Sequence, residues 1–266
     1  MRDNDGRQAV LAFLGGVAIM VVALGAFLVF VGDEGSPPLG AQGLRREDQA
    51  RTCYESSFTP CLAPSRRLLD AYPDASTCDQ SGSRVCLVPV GDAPVDLIAY
   101  LVEQYRAKYG LEVHVLRPVE VFPDLGKDRR QMDIFEVARY VCSDRAYRRV
   151  CWDQQAVLIA VAPFDVFSYW NEDWAFAFGD RLNMAKDARA EEKFGVVSSY
   201  RLDPQSYGQK PNPELRNLRV EKMVSKYIAI MHYGMEPSSD PKSITYSNIL
   251  SVRDIDRMSA TIPLPE

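Results

Sequence analysis

Histidine is nearly absent. The 266 residues hold two, His114 and His232, so a metal centre with three imidazole ligands cannot be assembled from this chain. No two cysteines have the C-x2-C spacing of a structural zinc site. The G-x-S-x-G, P-loop and G-x-G-x-x-G fingerprints are missing, which removes the usual signatures of serine hydrolases, NTPases and dinucleotide enzymes. A basic excess is missing too. The formal charge is −5, and Arg66–Arg67, Arg129–Arg130 and Arg148–Arg149 read as solvated surface pairs, so no nucleic-acid partner is expected. No internal repeat is present.

Charge is also absent from residues 8–31, which are almost wholly apolar. A helix of that length rises roughly 35 Å, enough for a hydrocarbon core of about 30 Å. The run is longer than the apolar region of a cleaved signal peptide, although Gly40–Ala41 leaves cleavage open. Residues 8–31 are therefore expected to be a single transmembrane helix in contact with the lipid bilayer. Ala12 and Gly16 form one small-xxx-small pair that suits contact with other membrane-protein subunits. Arg2 and Arg7 before the span favour a cytoplasmic N-terminus at residues 1–7 only by a small margin. Cysteine usage adds more. All six (Cys53, Cys61, Cys78, Cys86, Cys142, Cys151) follow the span, and an even count fits three disulfides in a periplasmic or extracellular compartment.

Residues 32–49, rich in Gly, Pro and charge, read as a linker. Residues 50–93 read as a Cys-rich segment held by disulfides, with a short helix at Arg66–Tyr72. From Pro94 the pattern becomes regular. Leu97, Ile98, Leu101, Val102 and Tyr105 have helical spacing, with Pro94 at the start and Gly110 at the end. Leu111–Leu116 alternates as a strand does. Asp133–Arg149 reads as mostly helix. Ala156–Ala162 is a buried central strand, and Trp174–Phe178 and Gly195–Leu202 are two more. Leu215–Tyr233 is a long helix ended by Gly234. The fold class is α/β (α+β), a sheet with packed helices over residues 94–262. Cys142 and Cys151 would stand about 13 Å apart on one continuous helix, too far for a disulfide. A turn near Ser143–Arg149 is expected to bring them together. The other four cysteines allow three connectivities; Cys53–Cys61 with Cys78–Cys86 is the local choice.

The end of the chain reads Tyr227-Ile-Ala-Ile-Met231-His-Tyr-Gly234-Met-Glu-Pro237, then Ser243-Ile-Thr-Tyr246, then Ser251–Met258. This resembles the active-site helix, closing turn and last helix of the metzincin zinc proteases, most of all the archaemetzincin group, whose helix carries H-E-x-x-H-x-x-G-x-x-H. The resemblance spans Pro94–Met258 and implies a metzincin-like twisted sheet. With Gly234 at the motif glycine, it puts Tyr227, Met231 and Pro237 at the ligand positions, Ile228 at the general base and Thr245 at the turn methionine. Every chemical position departs from the pattern. A one-residue shift brings His232 to the second ligand position but puts Ile228 at the first. A thioether is a poor zinc donor, and Ile228 cannot move a proton.

His114 sits mid-strand and reads as structural. Asp165, Tyr169, Trp170, Glu172 and Asp173 form an aromatic, acidic loop that could anchor a partner, the alternative being that Trp170, Trp174 and Phe176 are core residues of the sheet. Asp254 and Asp256 suit a helix start. The resulting expectation is a non-catalytic, membrane-anchored accessory or scaffold subunit with no cofactor, a pseudo-protease. The alternatives are an anchored hydrolase or protease with an unrecognised site, and a peptide- or carbohydrate-binding module. Protease added to intact spheroplasts should remove the C-terminal domain; full protection would contradict the expected topology.

Overall fold

The structure is a computed structural model, and it describes residues 63–73, 78, 84–121, 131–144, 147–153, 156–169, 175–184 and 192–264. The expected span, the linker and the Cys53–Cys61 pair lie outside the described residues. Among the described residues no helix is long and apolar enough to cross a membrane.

In chain order the elements are α1 (Arg66–Ala71), β1 (Arg84–Pro89), α2 (Val95–Tyr109), β2 (Val113–Val115), β3 (Met132–Asp133), α3 (Ile134–Ser143), α4 (Arg148–Asp153), β4 (Ala156–Ala162), β5 (Val166–Phe167), β6 (Gly179–Leu182), β7 (Phe194–Ser198), α5 (Pro213–Met231) and α6 (Val252–Arg257). Five strands form one sheet in the order β2-β1-β4-β7-β6, with β3 and β5 paired separately. The sheet is parallel except for β6, which runs antiparallel to β7 along its edge.

β4 shows why the sheet is covered on both sides. All seven of its residues are buried, and the strand pleat sends alternate side chains to opposite faces. Val157, Ile159 and Val161 enter one core, with Leu97, Leu101 and Tyr105 of α2 and Val220, Val224 and Ile228 of α5. Ala156, Leu158, Ala160 and Ala162 enter the other, with Ile134, Val137 and Val141 of α3 and the disulfide cysteines Cys78, Cys86, Cys142 and Cys151. The result is a three-layer α/β fold.

Local chemistry sets the helix ends. Asp133 accepts from the Phe135 N–H at the start of α3. Asn212 accepts from the Leu215 N–H at 3.0 Å ahead of Pro213 in α5, the usual arrangement of a side-chain cap followed by proline. After α5, Gly234 takes φ +66°, and the Met235 N–H reaches back to the Ala229 carbonyl, a helix stop that favours glycine.

Three segments differ from the sequence expectation. β1 lies in the stretch read as a Cys-rich segment, yet it sits between β2 and β4. The turn expected near Ser143–Arg149 is present: α3 ends at Ser143, α4 starts at Arg148, and Cys142 pairs with Cys151 at a Cα separation of 5.7 Å. Cys78 pairs with Cys86. The strand expected at Gly195–Leu202 stops at Ser198, where a 3-10 turn at Tyr200–Leu202 begins. The strand expected at Trp174–Phe178 is replaced by β6. Ala177 bridges to Val166 instead, and the ladder to β7 begins only at Gly179.

The two helices on one face are tied by a buried carboxylate. Glu221 is 0% exposed and accepts from the Tyr100 hydroxyl at 2.6 Å and the Lys108 ammonium at 2.5 Å. The Tyr105 hydroxyl meets Ser225 at 3.0 Å beside it. Removing Glu221 leaves these donors without their acceptor. Glu221→Ala should therefore lower unfolding free energy by about 3 kcal/mol in urea titration; an unchanged midpoint would show that the network contributes nothing.

Candidate functional site

α5 presents Met223, Lys226, Tyr227 and Ile230 to one cavity. Their spacing of i, i+3, i+4 and i+7 places them on a single helix face. Residues 175–181, leading into and along β6, form one wall. Pro237, Ser247, Ile249 and Leu250 of the closing segment form the other. The cavity measures about 310 Å3. Leu250 stands at its rim, 75% exposed.

The floor of the cavity depends on two glycines. A Cβ at Gly179 would lie 2.2 Å from the Val196 carbonyl oxygen and 2.9 Å from the Tyr227 hydroxyl. A Cβ at Gly195 would lie 3.0 Å from the Tyr227 ring and 3.2 Å from the Met231 methyl. Glycine is needed here for space. It lets the phenol ring and the thioether lie directly on the sheet. Tyr227 and Met231 are each 3% exposed, and Ile228 and Thr245 are also buried. Pro237 lies exposed at the cavity edge.

Three polar groups line the cavity with shifted acidities. Burial pushes the Lys226 ammonium down to about 8; Arg181 pushes the same way and Asp180 opposes. Burial pushes the Asp180 carboxyl up, against the Arg181 N–H it accepts at 2.8 Å and a contact from Ser168. Burial raises the Tyr227 phenol well above its ordinary value, so it stays protonated. Lys226 and Tyr227 make no side-chain hydrogen bond or close ion pair with the other described residues, and Asp180 and Arg181 act on the Lys226 ammonium at longer range. Arg181 is held by Glu192 at 2.9 Å.

The histidines do not join this site. His114 lies on β2, at the opposite sheet edge from β6. His232 caps the end of α5, edge-on to Tyr233. Among the described residues no cluster of three His, Cys, Asp or Glu side chains could hold a metal ion. Tyr169 is 61% exposed, while Trp170, Glu172 and Asp173 lie outside the described residues. Asp165 serves the fold: it takes a two-pronged ion pair from Arg201 at 2.7 and 2.6 Å. The same guanidinium covers the Phe176 ring at 4.1 Å and so fixes one wall of the cavity. Asp254 completes a capping box with Ser251 at the start of α6, and Asp256 pairs with Arg219. Lys226 and Asp180 were not singled out from sequence. The available signal was a lone cation inside the apolar stripe Met223–Met231.

No protein-family model matches the chain. Over 179 residues it is 28% identical to an archaemetzincin from Pyrococcus abyssi, covering 64% of this chain and 86% of that protein. Its structure resembles the crystal structure of a zinc-dependent peptidase from Methanocorpusculum labreanum, with TM-score 0.52 and 18% identity, covering 67% of this chain and 95% of that one. The fold is archaemetzincin-like. These likenesses overturn the expectation of a non-catalytic accessory or scaffold subunit. One of these proteins is named an archaemetzincin and the other a zinc-dependent peptidase, and nothing found points to a non-catalytic membrane subunit.

Tyr227→Ala should cost about 3–5 kcal/mol of stability. Gly195→Ala should lower the urea midpoint as well, because its methyl group displaces the ring. Unchanged midpoints in both variants would show that Tyr227 does not pack on the sheet.

Proposed function

We propose that this protein is a peptide hydrolase whose cleft is the cavity between β6, α5 and the closing segment. The observation that carries this is the convergence of Lys226, Asp180 and Tyr227 on one apolar-walled cavity, with acidities displaced as in working sites. Likeness to proteins named archaemetzincin and zinc-dependent peptidase supports it. β6 is the edge strand of the sheet. Its outward N–H and C=O groups suit an extended peptide laid alongside as a further strand. Residues 8–31 would anchor the hydrolase, with the cleft outside the cytoplasm.

Zinc is the metal that the fold family implies, and the residues at the ligand positions do not fit it. Tyr227 is a phenol kept protonated by burial. Met231 offers a thioether turned onto Gly195, and Pro237 has no donor side chain. Zinc takes deprotonated oxygen or sulfur, or a neutral imidazole. Hydrolysis here falls to the side chains of the cavity.

Full-length protein in detergent, offered a mixed-sequence peptide library, should cleave it at the same rate with and without a chelator. No cleavage at any pH would overturn the proposal. Cleavage lost to chelation and restored by zinc would overturn its metal-free part.

A further inference from the structure

We infer that Asp165 is a positioning residue of this cleft: through Arg201 and Gln131 it fixes where the Phe176 ring stands, and so sets the size of the apolar side chain that the cavity accepts. This rests on the hydrolase function proposed above. The wall that carries Phe176 needs such support. The ladder between β6 and β7 begins only at Gly179, so Ala175 and Phe176 line the cavity ahead of the strand. After them the backbone is held at two points. The Ala177 N–H donates to the Val166 carbonyl, and the Phe178 carbonyl accepts from the Ser198 N–H, both at 2.9 Å.

Asp165 supplies the support from the carboxyl end of β4, the central strand. It is buried, and its backbone carbonyl accepts from the Met132 N–H at 3.0 Å, which ties it to β3. One carboxylate oxygen accepts from Arg201 Nε at 2.7 Å. The other accepts from Arg201 Nη2 at 2.6 Å and from Gln131 Nε2 at 3.0 Å. The same Gln131 nitrogen donates to the Ala175 carbonyl at 2.9 Å, and the Arg201 guanidinium lies 4.1 Å from the centre of the Phe176 ring. Asp165 thus reaches two adjacent wall residues by separate arms, one on the backbone and one on the ring. The second arm requires arginine. A planar guanidinium pairs with a carboxylate along its edge while its face covers a ring; a lysine ammonium is a point charge and cannot do both.

Phe176 passes the constraint on to the substrate. Its ring meets Phe178 edge-on with centroids 5.2 Å apart, and both rings line the cavity with Ile249 and Leu250 of the closing segment. A volume of about 310 Å3 is at the small end of ligand pockets, which suits one bulky side chain rather than several. A ring free to swing would widen the cavity and admit apolar residues of any size. A ring held in place selects among them. Asp165, Arg201 and Gln131 do not themselves line the cavity, so each acts through the wall. The substrate class is a polypeptide with one apolar residue of matching size, discriminated by roughly 10-fold or more from a poor fit.

The test uses the full-length protein and a set of hexapeptides alike except at one residue, which is Ala, Leu, Phe or Trp. Binding is read by calorimetry and cleavage by mass spectrometry. The parent should prefer one size over Ala by about 10-fold or more in Kd and in kcat/KM. Arg201→Lys keeps the charge but loses the stacked fork, and Gln131→Leu loses the backbone arm. Each should flatten the preference through KM and leave kcat unchanged. Phe176→Ala should flatten it as far, and Arg201→Lys added to Phe176→Ala should change the preference no further. Thermal unfolding identifies a variant that has lost its fold, and Gln131→Leu, at a half-buried position, gives the reading if Arg201→Lys has done so. A parent without size preference in binding overturns this inference. So does a preference that both variants keep, or an Arg201→Lys effect that adds to that of Phe176→Ala; cleavage by the parent then leaves the hydrolase standing. Peptides bound with the expected preference, flattened as expected in the variants but never cleaved, overturn the hydrolase and uphold Asp165 as the residue that sets the cavity's size.

Discussion

The seating of α5 on the sheet is the constraint on which the rest depends. Tyr227 and Met231 lie against Gly195, and Tyr227 reaches Gly179. A methyl group at either glycine would have to displace the ring or the backbone beside it. Close approach of helix and sheet brings Lys226 and Asp180 of β6 to one cavity. The same seating buries Tyr227 and Met231, two of the family's ligand positions, against the sheet, while Pro237 stays exposed at the cavity edge.

Other contacts hold that geometry from outside. Glu221 locks α5 to α2 through Tyr100 and Lys108. Arg219 pairs with Asp256 at 2.8 Å, and Lys222 donates to two carbonyls at the end of α6. The closing segment is thus tied to the helix whose other face floors the cavity. Arg201, clamped by Asp165, holds Phe176 in the opposite wall. Most of α5 is buried, charged residues included, which suits a helix that must not shift under a bound peptide.

Much of the fold was legible in the sequence. β4 announced itself as an unbroken apolar run, α2 by its 3.6 spacing and glycine stop, and α5 by its length and Gly234. The break between α3 and α4 followed from the reach of a disulfide. β1 was not legible, because its short apolar run sits among cysteines and turn formers, and only pairing with β2 and β4 makes it a strand. β6 was displaced because Gly179, not the aromatic run before it, decides where the backbones can close. The departure of Tyr227, Ile228 and Met231 from the zinc motif could be read directly. The non-catalytic subunit expected from that departure is overturned by likeness to an archaemetzincin and a zinc-dependent peptidase. Lys226 and Asp180 are far apart in sequence, and only the fold shows that they share a cavity.

The most direct test of this account is hydrogen–deuterium exchange on the full-length protein, with and without an extended apolar peptide, in the presence of a chelator. Protection confined to Gly179–Leu182 and to the Lys226–Ile230 turn of α5 is the predicted result. Protection that requires added zinc, or that falls elsewhere on the molecule, would contradict it.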